Sequence, residues 1–164
     1  RIKNYTANSL KLNITQDMFN NLPSLDGNTN PTPENPILVG TNGVDTLIGS
    51  DVNNTFISNA GNDTLKDISG GNDIYKFKKG DGADTIYDIK GNDTIIFDET
   101  VLKEDITFSQ SEDLKSLIIN YSPTDSITIT NYYTHRQSSL LVNEVISIYF
   151  SRSSLNITSR TFRR

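Results

Sequence analysis

The sequence has no cysteine and no tryptophan, and it has a single histidine in 164 residues. Without cysteine, no disulfide bond can stabilise the fold and no thiolate can bind a metal or act as a nucleophile. The histidine, His135, lies among tyrosine, threonine and arginine residues, and we expect it to be a surface strand residue rather than a catalytic base. The metalloprotease pattern His-Glu-x-x-His and the hydrolase pattern Gly-x-Ser-x-Gly are both missing. We therefore expect the chain not to be an enzyme.

Long apolar stretches are also missing. Hydrophobic residues make up 34% of the chain, which is low for a conventionally packed core. No run approaches the ~20 apolar residues that span a bilayer, and no signal-peptide pattern occurs. The chain begins with Arg1 rather than methionine, so we expect it to be a piece of a longer protein. A domain with little apolar material and no disulfide needs another source of stability, and a bound metal ion can supply it.

Glycine and acidic residues are concentrated in one part of the chain. Nine of the ten glycines fall between residues 40 and 91. Residues 40–100 carry 11 acidic and 5 basic side chains, whereas residues 1–39 are neutral overall and residues 101–164 have a net charge of +1. An acidic middle segment suits cation binding, and it argues against nucleic acid as a partner.

A short pattern recurs through this segment: a glycine, an acidic or amide residue two positions later, and an apolar residue two positions after that. The anchoring residues are spaced by 9, 9, 10, 11 and 9, and they are Asp45, Asn54, Asp63, Asp73, Asp84 and Asp93. The apolar residues, which we expect to face a narrow core, are Leu47, Phe56, Leu65, Tyr75, Ile86 and Ile95. One Gly-Asn-Asp-Thr run would be consistent with a hairpin turn. Repetition in register instead predicts calcium-binding nonapeptide repeats in a parallel β-helix.

The residue types of the pattern suit calcium. Each repeat divides into a turn and a short strand, and glycine in the turn permits positive φ and leaves carbonyl groups free to face inward. Aspartate supplies a hard anionic oxygen, and Ca²⁺ takes about six to eight oxygen ligands. Stacked turns of like charge would repel one another without a cation, so we expect metal binding and folding to be coupled. The predicted calcium-site residues are Gly43, Asp45, Asn54, Gly61, Asn62, Asp63, Gly71, Asn72, Asp73, Asp81, Gly82, Asp84, Gly91, Asn92 and Asp93.

Two successive repeats would complete one coil of a flattened roll, so the turns should alternate between two edges. We expect an ion between stacked turns of the same edge. One edge is predicted to carry Asp45, Asp63 and Asp84, and the other to carry Asn54, Asp73 and Asp93. The spacings of 10 and 11 residues could shift this register after Asp63.

The repeats are not equivalent. The second has Val52 in place of glycine and Asn54 in place of aspartate, so its site should be weaker. Asp81 adds a carboxylate in its turn, where it could bind the ion or stay solvated. Four further aspartates fall outside the ligand position and are expected to be solvated surface charges: Asp51, Asp67, Asp88 and Asp98.

The chain divides into four segments. Residues 1–22 alternate in places and predict a strand, which could also be the tail of a preceding module. Residues 23–36 hold four of the five prolines and predict a linker. Residues 37–97 form the repeats. Residues 98–164 contain no glycine, and β-branched residues recur there at every second position. This pattern predicts a β cap over the open end of a solenoid. The predicted fold is all-β, a parallel β-roll with a C-terminal β-strand cap.

Residues 38–97 resemble the RTX (haemolysin-type) calcium-binding repeats of bacterial secreted proteins. The resemblance lies in the turns given above and in residues 70–86, which look like the end of such a repeat block. Residues 98–133 are similar to the haemolysin-type calcium-binding related region that follows such blocks. This resemblance implies a β-roll that folds on calcium outside the cell after export by a type I secretion apparatus. Val52, Asn54 and the irregular spacing depart from the pattern and leave the number of ions open.

The sequence leaves three candidate functions. The resemblance implies a calcium-binding module of a larger secreted toxin, adhesin or exoenzyme, located outside the cell or at its surface. The alternative is a module that binds polysaccharide or a host cell surface, with calcium as a structural ion, through the C-terminal arginines or exposed tyrosines. A polysaccharide-cleaving β-helix enzyme is disfavoured, because residues 40–100 contain no arginine to act beside an ion.

Overall fold

In the computed structural model, residues 36–133 and 147–150 are described, together with the backbone of residues 153–157. The strand predicted within residues 1–22 and the linker predicted for residues 23–36, except Pro36, lie outside the described residues. His135 lies outside them as well, as do the C-terminal arginines Arg152, Arg160, Arg163 and Arg164.

The repeats form short strands that wind into two facing sheets. The strands are β1 (Ile37–Val39), β2 (Thr46–Ile48), β3 (Thr55–Ile57), β4 (Thr64–Asp67), β5 (Ile74–Phe77), β6 (Ala83–Asp88) and β7 (Thr94–Phe97). Sheet 1 contains them in the order β1-β3-β5-β7, and sheet 2 in the order β2-β4-β6. Every pair of neighbours is parallel. The predicted parallel β-roll is therefore confirmed.

The irregular spacings do not shift the register of the strands. The inward-facing apolar residues pair directly with one another from coil to coil. The sheet 2 column is Leu47, Leu65 and Ile86. The sheet 1 column is Leu38, Phe56, Tyr75 and Ile95. All seven side chains are between 0% and 2% exposed, so the predicted apolar core positions are confirmed and the turns absorb the extra residues.

The core is narrowest at β1, β2 and β3, because a three-residue strand turns only one side chain inward. Such a strand gains burial only by stacking on the next coil, as in other solenoids. Phe56 and Tyr75 illustrate this, since their rings stack with centroids 4.7 Å apart.

The strands after Phe97 extend both sheets of the roll and also supply the antiparallel strands that close them. One 3₁₀ turn (Lys103–Asp105) precedes five strands: β8 (Thr107–Gln110), β9 (Leu117–Asn120), β10 (Ser126–Ile129), β11 (Ser147–Phe150) and β12 (Ser153–Ile157). β10 adds to β6 and β11 adds to β7, both in parallel. β9 and β8 then complete sheet 2, and β12 completes sheet 1, by antiparallel pairing. The parallel roll thus ends in antiparallel strands, which form the predicted cap.

An aromatic cluster joins the cap to the last coil. The Phe97 ring centroid lies 5.1 Å from that of Tyr121 and 5.5 Å from that of Phe150. All three side chains are buried. Phe97 of the last repeat therefore packs against both parts of the following chain, the segment after β9 and strand β11.

Candidate metal centre

The aspartates of one edge form a hydrogen-bonded ladder along the roll. This first edge consists of the turns at residues 40–45, 58–63 and 78–84. The Asp45 amide donates to Asp63 Oδ1 over 2.8 Å, and the Asp63 amide donates to Asp84 Oδ1, also over 2.8 Å. The structure thus places Asp45, Asp63 and Asp84 along one edge, as expected from the sequence.

The second edge consists of the turns at residues 49–54, 67–73 and 88–93, and it carries a matching ladder. The Asn54 amide donates to Asp73 Oδ1 over 2.7 Å, and the Asp73 amide donates to Asp93 Oδ1 over 2.9 Å. Each bond gives a carboxylate a donor from the preceding coil. Each carboxylate keeps a second oxygen for another partner.

The turn glycines bring successive backbones into close contact. A Cβ atom on Gly61 would collide with the Gly43 carbonyl, and one on Gly82 would collide with the Gly61 carbonyl. On the second edge, Gly91 lies in the same way against the Gly71 carbonyl. The φ angles of Gly61, Gly82 and Gly91 are 147°, 99° and 134°, which other residues rarely adopt. Val52 is tolerated because its turn is the first on the second edge. Its carbonyl oxygen faces the next turn, where a Cβ atom on Gly71 would lie 2.7 Å from that oxygen.

The asparagines of the turns lie on the exposed outside of the edges. Asn72 Oδ1 accepts the Asn92 amide over 2.9 Å, and Asn62 Oδ1 accepts the Ala83 amide over 3.0 Å. The structure therefore places Asn62, Asn72 and Asn92 in contacts between turns and does not bring them together with the buried carboxylates. Asn54 differs, because it is 1% exposed and lies in line with Asp73.

Two aspartates that were expected to be solvated are buried. Asp67 is 0% exposed and Asp88 is 9% exposed, so that expectation was wrong for both. They end strands β4 and β6, which run two residues beyond the inward-facing Leu65 and Ile86. Strand alternation turns every second residue to the same face, so the aspartate two positions after an inward apolar residue also points inward. This alternation was the signal that could have identified them. Asp51 is exposed and Asp98 is partly exposed.

A cluster of three buried aspartates could hold a metal ion. Asp73, Asp88 and Asp93 each offer one carboxylate oxygen, and the three oxygens lie within 4.8 Å of one another. Tyr75 donates its hydroxyl to Asp88 Oδ2 over 2.7 Å and so orients that carboxylate. The cluster combines two predicted site residues with Asp88, which the repeat pattern does not include.

Several buried carboxylate oxygens in the roll have no donor. Asp63 Oδ2, Asp67 Oδ2 and Asp73 Oδ2 find no hydrogen-bond partner among the described residues. A buried charge without a partner is costly, whereas a cation at the same place is stabilising. The orphaned oxygens therefore fit a bound metal ion.

The electrostatics of the two edges supports the same interpretation. Burial away from water, with repulsion from Asp67, raises the pKa of Asp73 to about 7. Burial raises the pKa of Asp84 to about 7, with repulsion from Asp63, and that of Asp93 to about 8, with repulsion from Asp88. Burial also raises the pKa of Asp63, Asp67, Asp81 and Asp88. Each of these shifts makes ionisation unfavourable until a positive charge arrives.

Asp81 on the first edge has its own cation. It is 1% exposed, and it accepts the Lys78 ammonium over 2.6 Å and the Lys78 amide over 2.8 Å. Its neighbour Asp125 accepts the amides of Gly80 and Gly82 over 2.9 and 3.1 Å. Asp81 is therefore buried rather than solvated, and lysine partly neutralises it.

Comparison with known proteins adds no relative. Neither the protein-family models nor the curated proteins searched give a match to this chain. Among the described residues, none belongs to a helix with the length and apolarity needed to cross a membrane.

Proposed function

We propose that this chain is a calcium-binding module of the RTX type within a larger secreted bacterial protein, such as a toxin, adhesin or exoenzyme. It folds when calcium binds after export through a type I secretion apparatus, and it is not itself catalytic. The observation that carries the proposal is the row of buried aspartates on each edge, whose orphaned oxygens and raised pKa values call for a cation.

The donor set favours calcium over other metals. Zinc and copper prefer nitrogen and sulfur ligands, and the chain has no cysteine and one histidine. Carboxylate oxygens in turns, with carbonyl groups beside them, suit a large hard cation. Magnesium prefers a smaller and more regular octahedral shell and gives up its water reluctantly.

Coupling between metal binding and folding follows from the charge distribution. At low calcium, the aspartates of successive turns repel one another and favour an extended chain, which suits passage through an export channel. Outside the cell, sites with a Kd of about 10⁻⁴ to 10⁻³ M would fill with calcium. The free energy of binding then becomes folding free energy, since the unfolded chain has no preformed site.

Far-UV circular dichroism during a calcium titration of EDTA-treated protein tests this proposal. We expect a cooperative gain of β-structure with calcium and a much smaller change with magnesium. An unchanged spectrum through millimolar calcium would contradict calcium-coupled folding.

A module that binds polysaccharide or a cell surface is the second candidate. The observation that favours it is a shallow groove of about 390 Å³ on the outer face of sheet 2, with hydroxyl groups, an aromatic ring and an ammonium group. Its lining residues are Thr64, Lys66, Ile68, Thr85, Tyr87 and Thr130. Binding of the calcium-loaded protein to immobilised glycans, lost in Tyr87→Ala and kept in Tyr149→Ala on the other sheet, would support this role. Equal binding by both variants would contradict it.

A further inference from the structure

Antiparallel strands close both sheets at the C-terminal end of the roll. β12 lies beside β11 at the end of sheet 1, and β8 lies beside β9 at the end of sheet 2. At the N-terminal end, sheet 1 ends with β1 and sheet 2 ends with β2, among the residues that the structure describes. Each of these two strands therefore has a described partner along one side only.

The free side of β1 offers backbone groups to a further strand. The Gly40 amide donates to the Ile57 carbonyl over 2.8 Å, so Gly40 and every second residue before it turn their backbone groups toward β3. Strand geometry then directs the N–H and C=O groups of Ile37 and Val39 the opposite way. Two donors and two acceptors are thus available along this edge.

The side chains at this edge are apolar and more exposed than their equivalents one coil later. Ile37 and Val39 are 46% and 41% exposed, whereas Ile57, which has a strand on each side, is half-buried. Soluble proteins usually protect an edge strand with a charged side chain or a bulge. β1 carries no charge, and its pairing with β3 is regular. An apolar edge without such protection favours a partner strand.

The chain contains a matching strand sequence before β1. Residues 12–15 read Leu-Asn-Ile-Thr, and the same four residues recur at positions 155–158, where the first three belong to β12. β12 closes the other end of sheet 1 by antiparallel pairing with β11. In the earlier copy, Leu12 and Ile14 alternate with polar residues, the pattern of a strand with one buried face.

We infer that residues 12–15 form a strand that pairs with the free side of β1 and closes the N-terminal end of sheet 1. Residues 16–35 lie between this segment and Pro36, and a reversal between neighbouring strands needs only about two to five residues, so the connection is long enough. The partner surface is thus supplied by this chain's own N-terminal segment.

The size of the edge favours this segment over a second copy of the chain. One pair of short strands buries far less than the about 1,200 Å² of a stable interface between separate proteins. A segment on a short linker has an effective concentration of roughly millimolar, so it binds where a separate molecule dissociates.

Amide hydrogen exchange of the full chain in saturating calcium, followed by NMR, tests the inference. The Ile37 and Val39 amides should exchange roughly 100-fold more slowly than unpaired amides. The Thr46 and Ile48 amides are the matched control. They lie on the free side of β2, because the Gly49 amide donates to sheet partner β4, and they should exchange rapidly.

A pair of double variants identifies the strand that protects β1. Asn13→Pro combined with Ile14→Pro removes a donor that faces β1 in any register, so it should restore rapid exchange at the β1 edge. Asn28→Pro combined with Thr29→Pro places the same change in the connection and should keep the protection.

Three results would overturn the inference. The first is rapid exchange at Ile37 and Val39 in the unmodified chain. The second is slow exchange that persists in the Asn13→Pro, Ile14→Pro variant, because another segment then covers the edge. The third is protection that disappears on dilution, which would assign the added strand to a second copy. Protection that is independent of concentration and is lost only in the Asn13→Pro, Ile14→Pro variant supports the added strand.

Discussion

Single residues in the turns set how closely the coils stack. Gly80 and Gly82 make a useful pair, because both have positive φ angles, 92° and 99°, and both donate an amide to Asp125. They differ in their surroundings. A Cβ atom on Gly80 would meet nothing within 4 Å, whereas one on Gly82 would collide with the Gly61 carbonyl. The pair therefore separates the cost of backbone strain from the cost of forcing two coils apart.

Alanine at these two positions should have unequal effects. Gly80→Ala should lower the free energy of unfolding by about 1–2 kcal/mol through strain alone. Gly82→Ala should cost about 1–3 kcal/mol more, because the new methyl group must displace the backbone of the preceding coil. Urea denaturation in saturating calcium measures both values. Equal losses in the two variants would show that the stacking contact at Gly82 does not limit stability.

At the scale of strands, the repeat spacing predicted most of the roll. The position of the apolar residue in each repeat defined the inward columns, and the turns at residues 67–73 and 78–84 absorbed the additional residues without a register shift. The inner aspartates Asp67 and Asp88 were missed because the nonapeptide template ends each strand before them. In β4 and β6 the strand continues, and its alternation carries the next polar side chain into the core.

The pairing within the cap could not be predicted from the sequence. Alternating β-branched residues indicated strands within residues 98–164, and β10 and β11 are among the strands present there. The same period-two pattern occurs in parallel and in antiparallel strands, so it does not identify the partner. β10 and β11 extend the roll in parallel, whereas β9 and β12 pair with them antiparallel, and this choice of partners depends on contacts that the local pattern does not encode.

Between the roll and its cap, Phe97 should be the position at which substitution lowers the stability most. Its buried ring lies against Tyr121, which follows β9, and against Phe150, which ends β11. Phe97→Ala should cost about 3–5 kcal/mol, the usual loss for a large aromatic residue in a packed core. Ile96→Ala is the matched control, because Ile96 lies on the opposite and partly exposed face of β7 and should cost about 1 kcal/mol.

Thermal unfolding of the calcium-loaded variants distinguishes these two costs. A Phe97→Ala variant that unfolds at the same temperature as Ile96→Ala would contradict the role of Phe97 in seating the cap. A lower and broader transition in Phe97→Ala would indicate in addition that the roll and the cap no longer unfold together.

At the scale of the whole molecule, the charge pattern couples the roll to solution conditions. Seven aspartates of the two edges have raised pKa values, chiefly because burial removes water from them. Either protons or cations can relieve this cost. The two should therefore compete, and the direction of the pH dependence should reverse when calcium is added.

In EDTA, the folded state should lose stability as pH rises. Carboxyl groups titrate near pH ~4 in an unfolded chain, whereas in the roll the pKa is about 7 for Asp73 and Asp84 and about 8 for Asp93. The folded state thus binds more protons between these values. The resulting stability is complete below pH ~4 and is lost as pH rises through 7 to 8. In EDTA the β-structure seen by far-UV circular dichroism, and with it the urea midpoint wherever the chain is folded, should therefore be higher at about pH 5.5 than at about pH 8.

The same measurement in saturating calcium provides the control. Calcium binds the ionised carboxylates, so protons compete with it, and the midpoint should now be higher at about pH 8 than at about pH 5.5. A midpoint that rises with pH in both EDTA and calcium would contradict the argument, because it would mean that the buried aspartates are stable as anions without a cation. A midpoint that falls with pH in EDTA and rises with pH in calcium would identify protons and calcium as alternative partners of the same carboxylates.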